Sequence, residues 1–188
     1  VGNWWEREPQ SVTDSLTYGG FYTQDDIREV VEYARERFIT VVPEIDVPGH
    51  SMALLTAYPE ISCTGGPFHV NVGNTFYTKE ENSLCVGKEK TFAILDMIFD
   101  ELVDLFPSSY IHIGGDECYK GFWAKCPDCR ARMSSKQLQN VEELQSYFVK
   151  RVASHIQSKG KHVIGWDEIL EGGLAKDAIV MSWRGMKG

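Results

Sequence analysis

Ile111-His112-Ile113-Gly114-Gly115-Asp116-Glu117 runs from an apolar strand through a glycine pair into two adjacent carboxylates, which is the layout of an acid/base site. A regular strand sends successive side chains to opposite faces, so Asp116 and Glu117 serve one pocket only if the backbone leaves the pleat just before them. Gly114 and Gly115 permit that turn. Two carboxylates held together resist double ionisation. The more buried one should therefore hold a proton and donate it, and Glu117 is the expected donor.

Outward from that stretch, β-branched runs alternate with helical patterns, the arrangement that makes parallel sheets. The expected strands are Ile39 to Ile45, Tyr110 to Ile113, His162 to Trp166 and Ala178 to Trp183. Helices are expected over Thr23 to Arg37, with an Asp25-Asp26 start, over Glu89 to Phe106, stopped by Pro107, and over Val141 to Lys159, closed by Gly160. Ser51 to Lys88, rich in Gly, Pro and Thr, is too long for a plain connection and is expected to be a functional loop.

The polar residues fall at the carboxyl ends of the strands. Glu44, Asp46 and His50 follow the first, Asp116 and Glu117 the second, Trp166, Asp167 and Glu168 the third, and Ser182, Trp183 and Arg184 the fourth. A β/α barrel builds its active site on that face, so the fold class expected is α/β, part of a (β/α)8 TIM barrel with about four parallel strands. An open doubly wound sheet also binds at strand ends, but neither G-x-G-x-x-G nor a P-loop is present.

A chain that is 43% hydrophobic and 24% charged can bury a sizeable core, and its net charge of −8 supplies no basic patch for nucleic acid. No apolar run approaches the ~20 residues of a membrane span. The opening VGNWWEREPQ lacks the basic and apolar regions of a signal peptide, so the native start is expected to be already mature or missing. Trp4 and Trp5 are expected to pack rather than to bind. The five cysteines make no dense disulfide framework. Cys126-Pro127-Asp128-Cys129 has zinc-knuckle spacing, but no second C-x-x-C or H-x-x-H follows, so a local disulfide or free thiols are expected and no metal. A metal hydrolase built on His50, His112 and Asp116 is disfavoured because His112 precedes the glycines and lies within the strand.

PEIDVPGHS, HIGGDE, GWDEIL and MSWRG, in this order and at these separations, resemble the catalytic barrel of glycoside hydrolase family 20, the β-N-acetylhexosaminidases. The resemblance runs from YGGFYTQDDIREVV to MSWRG. It implies retaining, substrate-assisted hydrolysis of terminal non-reducing β-linked N-acetylglucosamine or N-acetylgalactosamine, with the sugar's acetamido oxygen as nucleophile. It further implies that Glu117 is the general acid/base and that Asp116 orients the acetamido group. His50 would hydrogen-bond the acid, and Trp166 and Trp183 would wall the acetamido pocket. Asp46 and Glu168 either shape the site or pair with neighbouring strand ends. No cofactor is implied. The partner is an amino-sugar oligosaccharide or glycan.

A whole barrel takes about 250 residues, and the four strands correspond to the third through sixth of the family. Residues 1–188 are therefore expected to be one incomplete catalytic domain, without the family's sugar-gripping arginine and the tyrosine and aspartate that complete the acetamido pocket. Such a fragment is expected to be inactive and to self-associate through its exposed sheet edges. A silent carbohydrate-binding module is the alternative reading. The full-length protein is expected in the periplasm, at the cell surface or outside the cell.

Overall fold

The computed structural model describes residues 20–70 and 81–185. Its helices are α1 (Gln24–Arg35), α2 (Met52–Ala57), α3 (Glu89–Leu105), α4 (Gly121–Lys125), α5 (Pro127–Lys136) and α6 (Val141–Ser158), and its strands are β1 (Tyr110–His112), β2 (His162–Trp166) and β3 (Ile179–Met181). Local chemistry explains the ends. Thr23 and Asp26 form a capping box at the start of α1, and Asn140 caps α6 by accepting the Glu143 N–H. The Cys126-Pro127 junction separates α4 from α5, with proline in the first turn, where its missing N–H costs nothing.

The three strands are parallel in the order β1-β2-β3, with Ile111 opposite Val163 and Gly165 opposite Val180. Their connections carry α4, α5 and α6 between β1 and β2, and a 3-10 turn (Asp167–Leu170) between β2 and β3. Ile111, Ile113 and Val163 join the core with Phe92, Leu95 and Phe99 of α3 and Leu144, Phe148 and Ile156 of α6. His112 points to the other face, where its ring meets Trp166 edge-on at 4.8 Å between centroids. That two-residue alternation places the helices on one side of the sheet and polar groups on the other.

The expected first strand is corrected. Ile39 to Ile45 forms no named strand; it is extended chain with one parallel bridge, Glu44 to His112. Main-chain bonds from Ile45 to His112 and from Val47 to Ile113 still lay it beside β1. Pro43 has no N–H to donate, and no further strand flanks the segment among the described residues, so the ladder stays incomplete. Phe38 is 98% exposed there. The long loop also differs from expectation, since Met52–Ala57 is helical and Pro59–Ile61 makes a 3-10 turn. Trp4 and Trp5 lie outside the described residues.

No helix among the described residues is long and apolar enough to cross a membrane. Cys126 and Cys129 form no local disulfide; all five cysteines are free.

Candidate active site

The glycine pair turns the chain as the sequence requires. Gly114 and Gly115 have φ of 67° and 94°, and a Cβ at Gly114 would run into the Asp46 carboxylate. The carboxylate can approach the backbone only because that Cβ is missing. Asp46 in turn accepts the Gly115 N–H at 3.4 Å. From below, Gln145 of α6, fully buried, donates from Nε2 to the Gly115 carbonyl at 3.0 Å. The turn is thus gripped from the first extended segment and from α6 together.

Beyond it, Glu117 and His50 are both non-glycine residues in the left-handed region, with φ of 46° and 49°. Strained backbone of this kind persists only where surrounding structure over-determines it, and it gathers at functional sites. The two residues meet. His50 Nε2 lies 3.5 Å from Glu117 Oε2, 3.4 Å from Asp116 Oδ2 and 3.9 Å from Asp46 Oδ2. Asp46, His50 and Asp116 present ligand atoms within 4.8 Å of one another, a set that could hold a cation.

Asp116, Glu117, Trp166 and Trp183 line one open cleft of about 260 Å³. The indoles are held by carboxylates behind them: Trp166 Nε1 donates to Glu44 at 3.2 Å and Trp183 Nε1 to Glu168 at 3.0 Å. Glu168 is buried and also lies 3.7 Å from Arg184. Neither Asp46 nor Glu168 is among the residues lining the cleft: Asp46 lies against the glycine turn, and Glu168 meets Trp183 and Arg184 just after β3.

The burial order of the acidic pair is the reverse of that expected. The Asp116 side chain is 16% exposed and that of Glu117 51%. The left-handed turn swings Glu117 over the cleft while Asp116 tucks in toward Asp46 and His50. A third carboxyl lies beside the pair: burial first, and then the Asp116 charge, push Asp46 up to about 8. Asp116 Oδ1 is buried with no hydrogen-bond partner among the described residues.

Two supporting groups, placed by the sequence at strand ends but given no role there, hold the site together. Glu44 touches both the Trp166 indole and His112 Nδ1, the latter at 3.1 Å. Asp167 is buried, accepts the Trp183 N–H and pairs with Arg184 at 2.6 Å, tying the end of β2 to the end of β3. Their only signal was position beside a motif residue at a strand end. His112 is a buried strand residue as expected, and burial holds its imidazole below the usual value against the opposing pull of Glu44.

The model of glycosyl hydrolase family 20, catalytic domain, matches residues 2–188. A β-hexosaminidase of Porphyromonas gingivalis is 49% identical over 175 residues, 93% of this chain and 22% of that protein. Among solved structures, the β-N-acetylhexosaminidase of Bacteroides fragilis superposes with a TM-score of 0.78 at 39% identity, over 89% of this chain and 33% of that one. The exo β-N-acetylglucosaminidase of Vibrio harveyi in complex with N-acetylglucosamine has a TM-score of 0.78 at 33% identity, over 94% of this chain and 27% of its own. The chain spans between about a fifth and a third of the length of these relatives.

Proposed function

The chain belongs to glycosyl hydrolase family 20, and on that premise we propose that it carries the acid/base centre of a β-N-acetylhexosaminidase. The substrate class is a terminal, non-reducing β-linked N-acetylglucosamine or N-acetylgalactosamine on an oligosaccharide or glycan. The observation that carries this reading is the single cleft in which two carboxylates face two tryptophans, with one imidazole against both carboxylates.

The chemistry is substrate-assisted and retaining. The acetamido oxygen attacks the anomeric carbon as the glycosidic C–O bond breaks, and Glu117 gives its proton to the departing oxygen. Its half-exposed position over the cleft suits contact with a leaving group. Asp116 accepts the acetamido N–H and offsets positive charge on the ring and the oxazolinium ion. Trp166 and Trp183 hold the acetamide against the anomeric carbon and keep water from the intermediate. Water then attacks the anomeric carbon, Glu117 takes its proton, and the oxazolinium reopens to the acetamide with configuration retained. His50 positions Glu117 and Asp116 relative to each other.

The test is a comparison, in the parent protein, of chromogenic β-N-acetylglucosaminide and β-glucoside. The acetamido sugar should be cleaved and the plain glucoside hardly touched. Comparable rates on both would remove the substrate-assisted mechanism, and no turnover of either would leave a binding module.

A further inference from the structure

Away from the cleft, four of the five cysteines meet. The Sγ atoms of Cys63, Cys85, Cys126 and Cys129 all lie within 4.8 Å of one another. The three closest contacts are Cys85 to Cys129 at 3.6 Å, Cys85 to Cys126 at 3.7 Å and Cys63 to Cys129 at 3.8 Å. Cys85, Cys126 and Cys129 are buried, and Cys63 is partly so. Four sulfurs about a tetrahedral zinc at ~2.3 Å would stand about 3.8 Å apart. A disulfide needs ~2.05 Å, and Cys85 lies equally near two partners, so the cluster favours no pairing.

We infer that Cys63, Cys85, Cys126 and Cys129 form a structural tetrathiolate site for one zinc ion. The surroundings are built for it. Cys126-Pro127-Asp128-Cys129 is a knuckle at the start of α5, and Gly87, two residues after Cys85, directs its N–H at the Cys85 sulfur. A Cβ at Gly87 would collide with the backbone of Asp128 and Cys129, so glycine is what lets the two loops close to this distance. Binding releases the thiol protons as four Zn–S bonds form, and the thiolate charge is neutralised in part by the ion. Cys118, also buried, stays outside the cluster, and burial pushes its thiol up to about 12.

The ion would clip three stretches together: the turn around Cys63, the loop at 81–88 and the α4–α5 junction. That loop supports the cleft, because Leu84 donates its N–H to the Pro48 carbonyl and Asn82 accepts the N–H of Ser51, on either side of His50. Trp123 of α4 bonds the Leu84 carbonyl from behind at 2.9 Å. The clip therefore braces the histidine loop without touching the reacting atoms.

Elemental analysis of the parent protein, purified without chelator, should find about one zinc per chain. Cys63→Ser and Cys85→Ser should lose it, and Cys118→Ala should keep it. Should the serine variants fail to fold, cobalt exchanged into the unmodified protein decides: thiolate-to-cobalt charge transfer and intense visible bands mark a tetrahedral sulfur site. X-ray absorption should show four sulfurs at about 2.3 Å. Metal-free protein with four titratable thiols, protein in which the four are paired as disulfides, or stoichiometric iron would each overturn the assignment. None of these readouts depends on glycosidase activity.

Discussion

Glu117 and Asp116 are neighbours in sequence with different tasks, so their amide variants should fail differently. Glu117→Gln in the parent protein should lose most activity on substrates whose leaving group needs a proton. It should lose far less where the leaving group departs unaided. Steady-state rates on a paired set of aryl and alkyl N-acetylglucosaminides check this, and equal losses would remove Glu117 as the acid. Asp116→Asn should depress both classes, because it acts on the acetamido nucleophile. Asp46 makes a separate prediction about stability. Its carboxyl is pushed up to about 8 in the fold from an ordinary value of 3.8. As pH rises through that interval the unfolded chain gives up a proton that the folded chain keeps, so stability falls across the window and levels off on either side. Urea denaturation of Asp46→Asn against the unmodified protein should show that part of the decline abolished. Identical slopes would mean that Asp46 does not hold the proton.

At the scale of elements, α6 does more than cover the sheet. Through Gln145 it fixes the Gly115 carbonyl, and through the Ser146 hydroxyl it holds the Gly173 carbonyl in the loop after β2. One helix thereby sets the height of the carboxylate turn and the course of the chain leading to β3. Gln145→Leu leaves a buried carbonyl unpaired and should cost about 1–3 kcal/mol of stability. It should also lower kcat by letting the turn move, since a shift of ~1 Å at a reacting group can cost ~100-fold. Chemical denaturation and steady-state kinetics read the two effects separately. A variant with unchanged stability and kcat would show that the turn is held by Asp46 alone.

For the molecule as a whole, the exposed surface decides. Among the described residues, Phe21, Tyr22, Tyr33, Phe38 and Ile39 are all more than half exposed on and around α1 and the extended segment. At the opposite edge Ile179 and Met181 of β3 are also open. Two unpaired sheet edges flanked by apolar side chains are templates for association. We propose that the 188-residue chain alone self-associates, which sedimentation velocity would reveal as species heavier than the monomer; a single monomeric boundary would contradict this. The isolated chain should also be inactive. Hydrolysis of a chromogenic N-acetylglucosaminide that disappears in Glu117→Gln would show that it completes a pocket unaided.

The order of elements was legible in the chain because it rests on local patterns. The β2 strand, the start of α6 and the stop of α3 before Pro107 follow from periodicity, caps and proline. The nearness of Asp116, Glu117, Trp166 and Trp183 was legible too, since their motifs close parallel strands that end on one side, whereas His50 joins them from a segment that only runs beside β1. What required the tertiary structure was every relation between groups distant in sequence that no periodicity encodes. The seat of Asp46 under Gly114 and the inverted burial of Asp116 and Glu117 depend on how two loops stack. So do the Glu44 and Asp167 supports. The cysteines show it most plainly: Cys126-Pro127-Asp128-Cys129 reads as half a site because no second close pair of ligands follows it in the sequence. Cys63 and Cys85 arrive singly from two separate loops that only the tertiary fold brings to the α4–α5 junction.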